Sequence, residues 1–371
     1  MHEIYINSSI FSGVDSLDHL KTIKNKKIWL ICDAFLIDNG TVDQIKDRID
    51  SSNTLKIFKD VIPDPPIENI SLGVSQMLSI DPDVIIAFGG GSAIDTAKGI
   101  IYFAPEAGFK KKVNFIAIPT TSGTGSEVTS VTVITDKELK TKHVVISHDI
   151  LPNEVILYPQ FTVSVPPAIT ANTGMDVLTH VVEAYVAKNA SSYSDALVEK
   201  GVAIVFKYLK KCYHNGQDLR ARSKMQEASN IAGTAFNLAG LGMNHAIAHQ
   251  LGGTFHIPHG LANTLVMNEV IKKNSKNKYM QSRYALIAHK LSVARSADSD
   301  EVAVEKFCNT IREAQIEMNM PLTISECNVD KNEFKSKLPD ICENAVKDSC
   351  VAFARMPYSK EEVAEILLNI L

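Results

Sequence analysis

Val84-Ile85-Ile86-Ala87-Phe88-Gly89-Gly90-Gly91-Ser92-Ala93-Ile94-Asp95-Thr96-Ala97-Lys98 runs from an apolar, β-branched stretch through three glycines into a segment of helical character. Val84 to Phe88 reads as a buried strand and Ala93 to Lys98 as the start of a helix. Glycine puts no side chain in the way, so backbone N–H groups at this turn can approach a pyrophosphate closely. The helix N-terminus adds a favourable dipole. A plain strand-to-helix turn needs fewer glycines. The run is not the GxGxxG fingerprint, so phosphate binding here is argued from the turn itself.

Working outward, Lys27 to Cys32 (KIWLIC) and Val113 to Ile118 (VNFIAI) are further buried strands, each followed by a turn or helix. Strands alternating with helices imply βαβ units and a parallel sheet. Ligands in such sheets sit beyond the carboxyl ends of the strands, where Asp33, Gly89 to Ser92 and Thr120 to Ser126 fall. The hydroxyls of Thr120 to Ser126 suit phosphate or ribose; a flexible connection is the other reading. Asp33 suits the adenine ribose and would repel a 2′-phosphate; helix capping is its other reading.

The character changes at Val165-Pro166-Pro167. Beyond it strand signals almost vanish, and Thr173 to Ala187, Ser194 to Lys211, Ser223 to Leu238, Gly242 to Gly252 and Glu301 to Asn319 carry helical spacing. Pro167, Pro258 and Pro321 are expected outside the helices. The expected organisation is an α/β dinucleotide-binding domain over 1–165 and an all-helical metal and substrate domain over 166–371.

The net charge of -4 and the lack of a basic face argue against a nucleic-acid partner. Lys110-Lys111-Lys112 reads as a solvated loop. The six cysteines form no CxxC pair and read as reduced thiols of a cytoplasmic protein. No signal peptide or membrane-spanning stretch is apparent.

Four of the eleven histidines fall within His245 to His259: His245, His249, His256 and His259. His245 and His249 are four apart and share a helix face, as do Asp176 and His180 upstream. One carboxylate with several neutral imidazoles is a donor set for a first-row divalent ion. A single such pair would read as surface histidines; two pairs and a clustered His259 do not.

At these residues the chain resembles the iron-containing, or group III, alcohol dehydrogenases. The resemblance spans essentially the whole chain. It rests on Gly-Gly-Gly-Ser-x-x-Asp-x-x-Lys at 89–98, Pro-Thr-Thr-x-Gly-Thr-Gly-Ser-Glu at 119–127, Gly174-Met-Asp-x-Leu-Thr-His180 and His245-x-x-x-His249 with Pro258-His259-Gly260. Phe255 to Asn263 is closest to the 1-propanol dehydrogenases and to the alcohol dehydrogenase half of bifunctional aldehyde–alcohol dehydrogenases. The resemblance implies a dehydroquinate synthase-like fold, with an α/β dinucleotide half and an all-helical metal half. It implies Asp176, His180, His245 and His259 as metal ligands and His249 as an aid to proton transfer beside the nicotinamide. It implies Asp33, Gly90, Gly91, Ser92, Asp95, Thr120, Thr121, Ser126 and Lys142 as cofactor contacts. The cofactors would be Fe2+, with Zn2+ or another divalent ion as substitute, and NAD(H) in preference to NADP(H). The substrate would be a small alcohol or aldehyde, and the assembly a homodimer or larger homo-oligomer. Two departures are Tyr158-Pro159, where the family usually has Asp-Pro, and Pro63-Asp64-Pro65, where it often has Pro-Asn-Pro or Pro-Glu-Pro.

Other readings are a polyol dehydrogenase acting on glycerol, 1,3-propanediol or lactaldehyde, a dehydroquinate synthase-like lyase, and a non-catalytic binding protein. The lyase needs basic residues to grip a phosphate-bearing acid, and His245 to His259 holds no Arg or Lys. A binding protein would have lost a ligand, and all four stand.

Overall fold

Five strands of the first half lie parallel with their neighbours, and the three central ones, Lys27–Cys32, Val84–Gly89 and Asn114–Pro119, are buried on both faces. The five are β1 (Ser9–Ser12), β2 (Lys27–Cys32), β3 (Thr54–Phe58), β4 (Val84–Gly89) and β5 (Asn114–Pro119); with Glu154–Leu157 they form a six-stranded sheet. Every pairing in that sheet is parallel. Along β2, Ile28, Leu30 and Cys32 enter one core while Trp29 and Ile31 enter another. Along β4, Val84, Ile86 and Phe88 alternate in the same way with Ile85 and Ala87. A strand covered on both faces reads as an unbroken apolar run, which is why these strands stood out in the sequence. A separate antiparallel pair, β6 (Val131–Asp136) and β7 (Thr141–Ile146), was not read from the sequence. The strand Glu154–Leu157 is therefore β8.

The structure, a computed structural model, describes residues 4–138 and 141–371, without the side chains of Thr141 and Lys142. Lys142, an expected cofactor contact, thus lies outside the described side chains. Tyr5–Ser164 form one compact unit and Val165–Leu371 fall in a second. In the first, α1 (Ala34–Asp38), α2 (Asp43–Lys46), α3 (Ile67–Ile80) and α4 (Gly91–Phe103) flank the sheet. The strand order β1-β8-β5-β4-β2-β3 reverses direction between β2 and β4. Open α/β sheets take their ligands at such a reversal, outside the carboxyl ends.

The second unit is helical among its described residues: α5 (Pro167–Val186), α6 (Ser192–His214), α7 (Leu219–Ala239), α8 (Met243–Phe255), α9 (His259–Asn274), α10 (Lys278–Lys290), α11 (Asp300–Glu317), α12 (Lys331–Ala345) and α13 (Lys360–Asn369), with short 3-10 turns between some of them. Every residue of α5 from Gly174 to Val186 is buried, so this helix is enclosed on all sides. It begins at Pro167 rather than Thr173. Proline at the first helical position gives up an N–H that would have no partner in any case, so Pro167 belongs inside the helix. Pro258 caps α9 and lies outside, as expected.

Candidate metal centre

α5 puts Asp176, His180 and Glu183 on one stripe, and all three are buried. α8 begins at Met243 and carries His245 and His249 one turn apart. His256 ends α8 in the left-handed conformation, with φ 57, and returns its N–H to Gly252. That geometry spends His256 on the turn. Pro258 then caps α9, and His259 is its first residue.

The donor atoms of Asp176, His180 and His245 lie within 4.8 Å of one another. His259 is outside that buried trio, 44 % exposed, with Nε2 3.7 Å from Asp176 Oδ1. His245 Nε2 is 3.9 Å from the same oxygen. Donors about 2.0–2.1 Å from one tetrahedral ion stand roughly 3.3 Å apart, so both gaps need to close by only a few tenths of an ångström. His180 stacks on His245 with ring centroids 4.8 Å apart, and on Phe236 at 4.6 Å.

The electrostatics match a cation. Burial pushes the Asp176 carboxyl up, but the imidazoles of His180, His259 and His245 and the amide of Asn263 outweigh it and leave Asp176 below the ordinary range. Burial lowers His180, and lowers His245 well below its usual value with help from neighbouring His180 and His259. An ionised carboxylate among neutral imidazoles is the protonation state that metal binding requires. His180 Nδ1 and His245 Nε2 are buried without a hydrogen-bond partner, which in a protein interior calls for an explanation. The Asn263 amide donates to Asp176 Oδ1 at 2.8 Å and lies 3.1 Å from His259 Nε2.

The α/β unit gathers most of the expected dinucleotide contacts. A Cβ on Gly89, whose φ is 155, would lie 2.6 Å from Asp33 Oδ2. The ends of β2 and β4 thus meet at the point where strand order reverses. Asp33 occupies the N-cap position of α1 but makes no side-chain capping bond, and burial raises its carboxyl. Gly90 is the N-cap of α4, and Gly91 and Ser92 form its first turn. Thr121 stands beside Gly90, and Thr124 beside Gly91. The Thr120 N–H donates to Gly89 O at 3.0 Å. Asp95 and Ser126 are bonded to each other, Oγ to Oδ1 at 2.6 Å. Behind them the buried Lys98 ammonium donates to Ser126 O, Ser126 Oγ, Thr129 Oγ1 and Val131 O at 2.6–3.1 Å. Burial lowers Lys98 to about 8 against the pull of Asp95 and Glu127. Lys98 ties the helix after the glycines to the Thr120–Ser126 loop.

The description "Iron-containing alcohol dehydrogenase" matches residues 7–159, and "Fe-containing alcohol dehydrogenase family, C-terminal" matches 170–371. The chain is 43 % identical over 348 residues to a 1-propanol dehydrogenase of Citrobacter freundii, covering 94 % of each. It is 37 % identical over 373 residues to an NADPH-dependent butanol dehydrogenase of Clostridium saccharobutylicum, covering 96 % of this chain and 95 % of that one. A crystal structure of a 1,3-propanediol oxidoreductase superposes with TM-score 0.92 at 30 % identity, covering all of both chains.

This chain belongs to the iron-containing alcohol dehydrogenase family. As an iron-containing alcohol dehydrogenase it is an alcohol/aldehyde oxidoreductase, and the trio Asp176, His180 and His245 is consistent with iron. Its helical half also holds three residues that sequence reading missed. Glu183 meets His245 Nδ1 at 2.5 Å, Asp348 meets His249 Nδ1 at 2.9 Å, and Asn263 bridges Asp176 and His259. Only Glu183 had a local signal, three residues beyond His180 on the stripe from Asp176.

Proposed function

We propose that this alcohol dehydrogenase interconverts a small primary alcohol or diol and its aldehyde with NAD(H), its divalent ion held by Asp176, His180, His245 and His259. The observation that supports this best is the buried His245 Nε2 without a hydrogen-bond partner, 3.9 Å from the ionised Asp176 carboxylate and with a His180 donor atom within 4.8 Å. When bound, ferrous ion supplies a Lewis acid that lowers the pKa of an alcohol hydroxyl and polarises an aldehyde carbonyl.

The chain's own residues do the rest. Asp348 accepts the Nδ1 proton of His249 at 2.9 Å, so the other ring nitrogen of His249 is the one available to exchange a proton. His249 is 37 % exposed and stacks on His259 with centroids 5.5 Å apart, which keeps it beside the donor set and open to solvent. In the other unit, the first N–H groups of α4 at Gly91 and Ser92 suit a pyrophosphate. Thr120 and Thr121 supply hydroxyls next to them. Asp95 and Ser126 hold that loop in shape, and Lys142 joins the set by resemblance. Asp33 favours NAD by accepting from the ribose hydroxyls and repelling a 2′-phosphate. The similarity to an NADPH-dependent relative favours a second reading, NADP use.

The test is a panel of short primary alcohols, diols and aldehydes with NAD(H) and NADP(H), after anaerobic reconstitution with ferrous ion. NAD(H)-linked turnover that chelation abolishes is the expected result. Turnover only with NADP(H) would replace the cofactor assignment. Full turnover after exhaustive chelation would overturn the metal assignment.

A further inference from the structure

Glu183 is buried, its side chain 5 % exposed, and its two oxygens have separate duties. Oε1 accepts the backbone N–H of Asn244 at 2.7 Å. Oε2 accepts the backbone N–H of His245 at 3.3 Å and the ring Nδ1–H of His245 at 2.5 Å. The backbone N–H of Gly242 also serves this carboxylate. These N–H groups open α8, where a helix has no internal acceptors to offer. The N-cap residue, Gly242, has no side chain to meet them. A Cβ at 242 would sit 2.9 Å from Glu183 Oε1, so the glycine leaves room for a cap supplied by another helix. Burial raises the Glu183 carboxyl to about 7 against the pull of these N–H groups, and its ionised form suits the positive end of the helix dipole.

We propose that Glu183 is a positioning residue that couples the start of α8 to the tautomer of His245. By taking the Nδ1 proton it leaves the Nε2 lone pair bare. That nitrogen is buried without a hydrogen-bond partner, 3.9 Å from Asp176 Oδ1. A ligating histidine commonly donates its second ring N–H to a carboxylate, which sets ring orientation and basicity. Glutamine cannot reproduce this. With its NH2 at the Oε2 position it faces His245 Nδ1 and drives the proton to Nε2, where it blocks ligation. With its NH2 at the Oε1 position it faces the Asn244 N–H and uncaps α8. The inference rests on His245 being a metal ligand.

Two measurements test it. The first uses metal-free wild-type protein with 15N-labelled histidine, the His245 signals being identified by their loss in His245→Gln. Nδ1–H with a bare Nε2 is expected, and the Nε2–H tautomer would overturn the proposal. The second titrates Co2+ into metal-free wild type, Glu183→Gln and Glu183→Asp, following the visible ligand-field bands. Glu183→Gln should bind Co2+ about 10–100-fold more weakly with shifted bands, the range for losing an outer contact. Glu183→Asp, which keeps the carboxylate, should recover part of that loss. Wild-type affinity and bands in Glu183→Gln would overturn the proposal. His245→Ala separates the two layers. If it loses Co2+ while Glu183→Gln keeps it, only the role of Glu183 fails. If it too binds as wild type, the metal-centre reading fails.

Discussion

Asp176 is the only carboxylate among the four expected donors, and His180, His245 and Asn263 all act on it. Asp176→Asn keeps the shape and removes the anion, leaving neutral donors only. The variant should lose more metal affinity than the ~10–100-fold expected for an outer contact, read as metal content after dialysis together with turnover. His259→Ala should also lose metal and turnover, but for a different balance of reasons. His259 is 44 % exposed, so truncation opens no buried cavity. Its unfolding midpoint without metal should match that of metal-free wild type, which separates lost ligation from misfolding. Wild-type turnover in a His259→Ala enzyme that retains no metal would refute its assignment. Asp176, His180 and His245, whose donor atoms the fold brings together, were legible because the i,i+4 pairs leave a local trace. Asp348 leaves none: 99 positions separate it from His249, and only the fold brings them together. Asn263 reads in sequence as an ordinary polar residue of a helix.

The element that carries His259 depends on a close crossing. A Cβ on Gly260 would meet Asn172 O at 2.1 Å and Asp176 Cβ at 3.1 Å. Backbone of α5 cannot yield as a side-chain tip can, so Gly260→Ala must push α9 away. The expected cost is about 1–3 kcal/mol of stability, with weaker metal binding because His259 moves with its helix. Gly253 is the control. It lies on the exposed side of α8 with open space where its Cβ would be, so Gly253→Ala should raise stability by ~0.4–1 kcal/mol. Urea unfolding of the metal-free variants measures both; a stable Gly260→Ala with wild-type metal affinity would show that the crossing is not needed. Strands were legible where both faces are covered. β2, β4 and β5 announced themselves as apolar runs. α9 did not: Asn263 and Thr264 are buried among its apolar residues, so its polar positions do not mark an outer face. α12 holds Pro339 in its interior, a residue that reads as a stop.

The expected metal donors and the expected dinucleotide contacts fall in different compact units. All four expected metal donors lie within Val165–Leu371, and every expected dinucleotide contact lies within 33–142. Each unit also has its own core, one large cluster in the helical unit and the paired sheet-face clusters in the other. That division was legible at the scale of motifs, since the glycine run and the histidine run each sit inside one pattern of secondary structure. The packing that joins donors from α5, α8 and α9 was not, because it depends on helix crossings that no local spacing encodes. A ligand that binds only the folded state stabilises it by RT ln(1 + [L]/Kd), roughly 2.7 kcal/mol at a hundredfold excess over Kd. Amides that exchange by opening the metal site should then exchange roughly 100-fold more slowly in the metal-loaded enzyme. Hydrogen exchange read peptide by peptide should show that protection in α5, α8 and the first turns of α9, with β2, β4 and β5 unchanged. Added dinucleotide should protect the start of α4 and the 120–126 loop instead. Metal-dependent protection centred on the sheet, with α5 and α8 indifferent, would mean that the cation binds somewhere other than at Asp176 and its histidines.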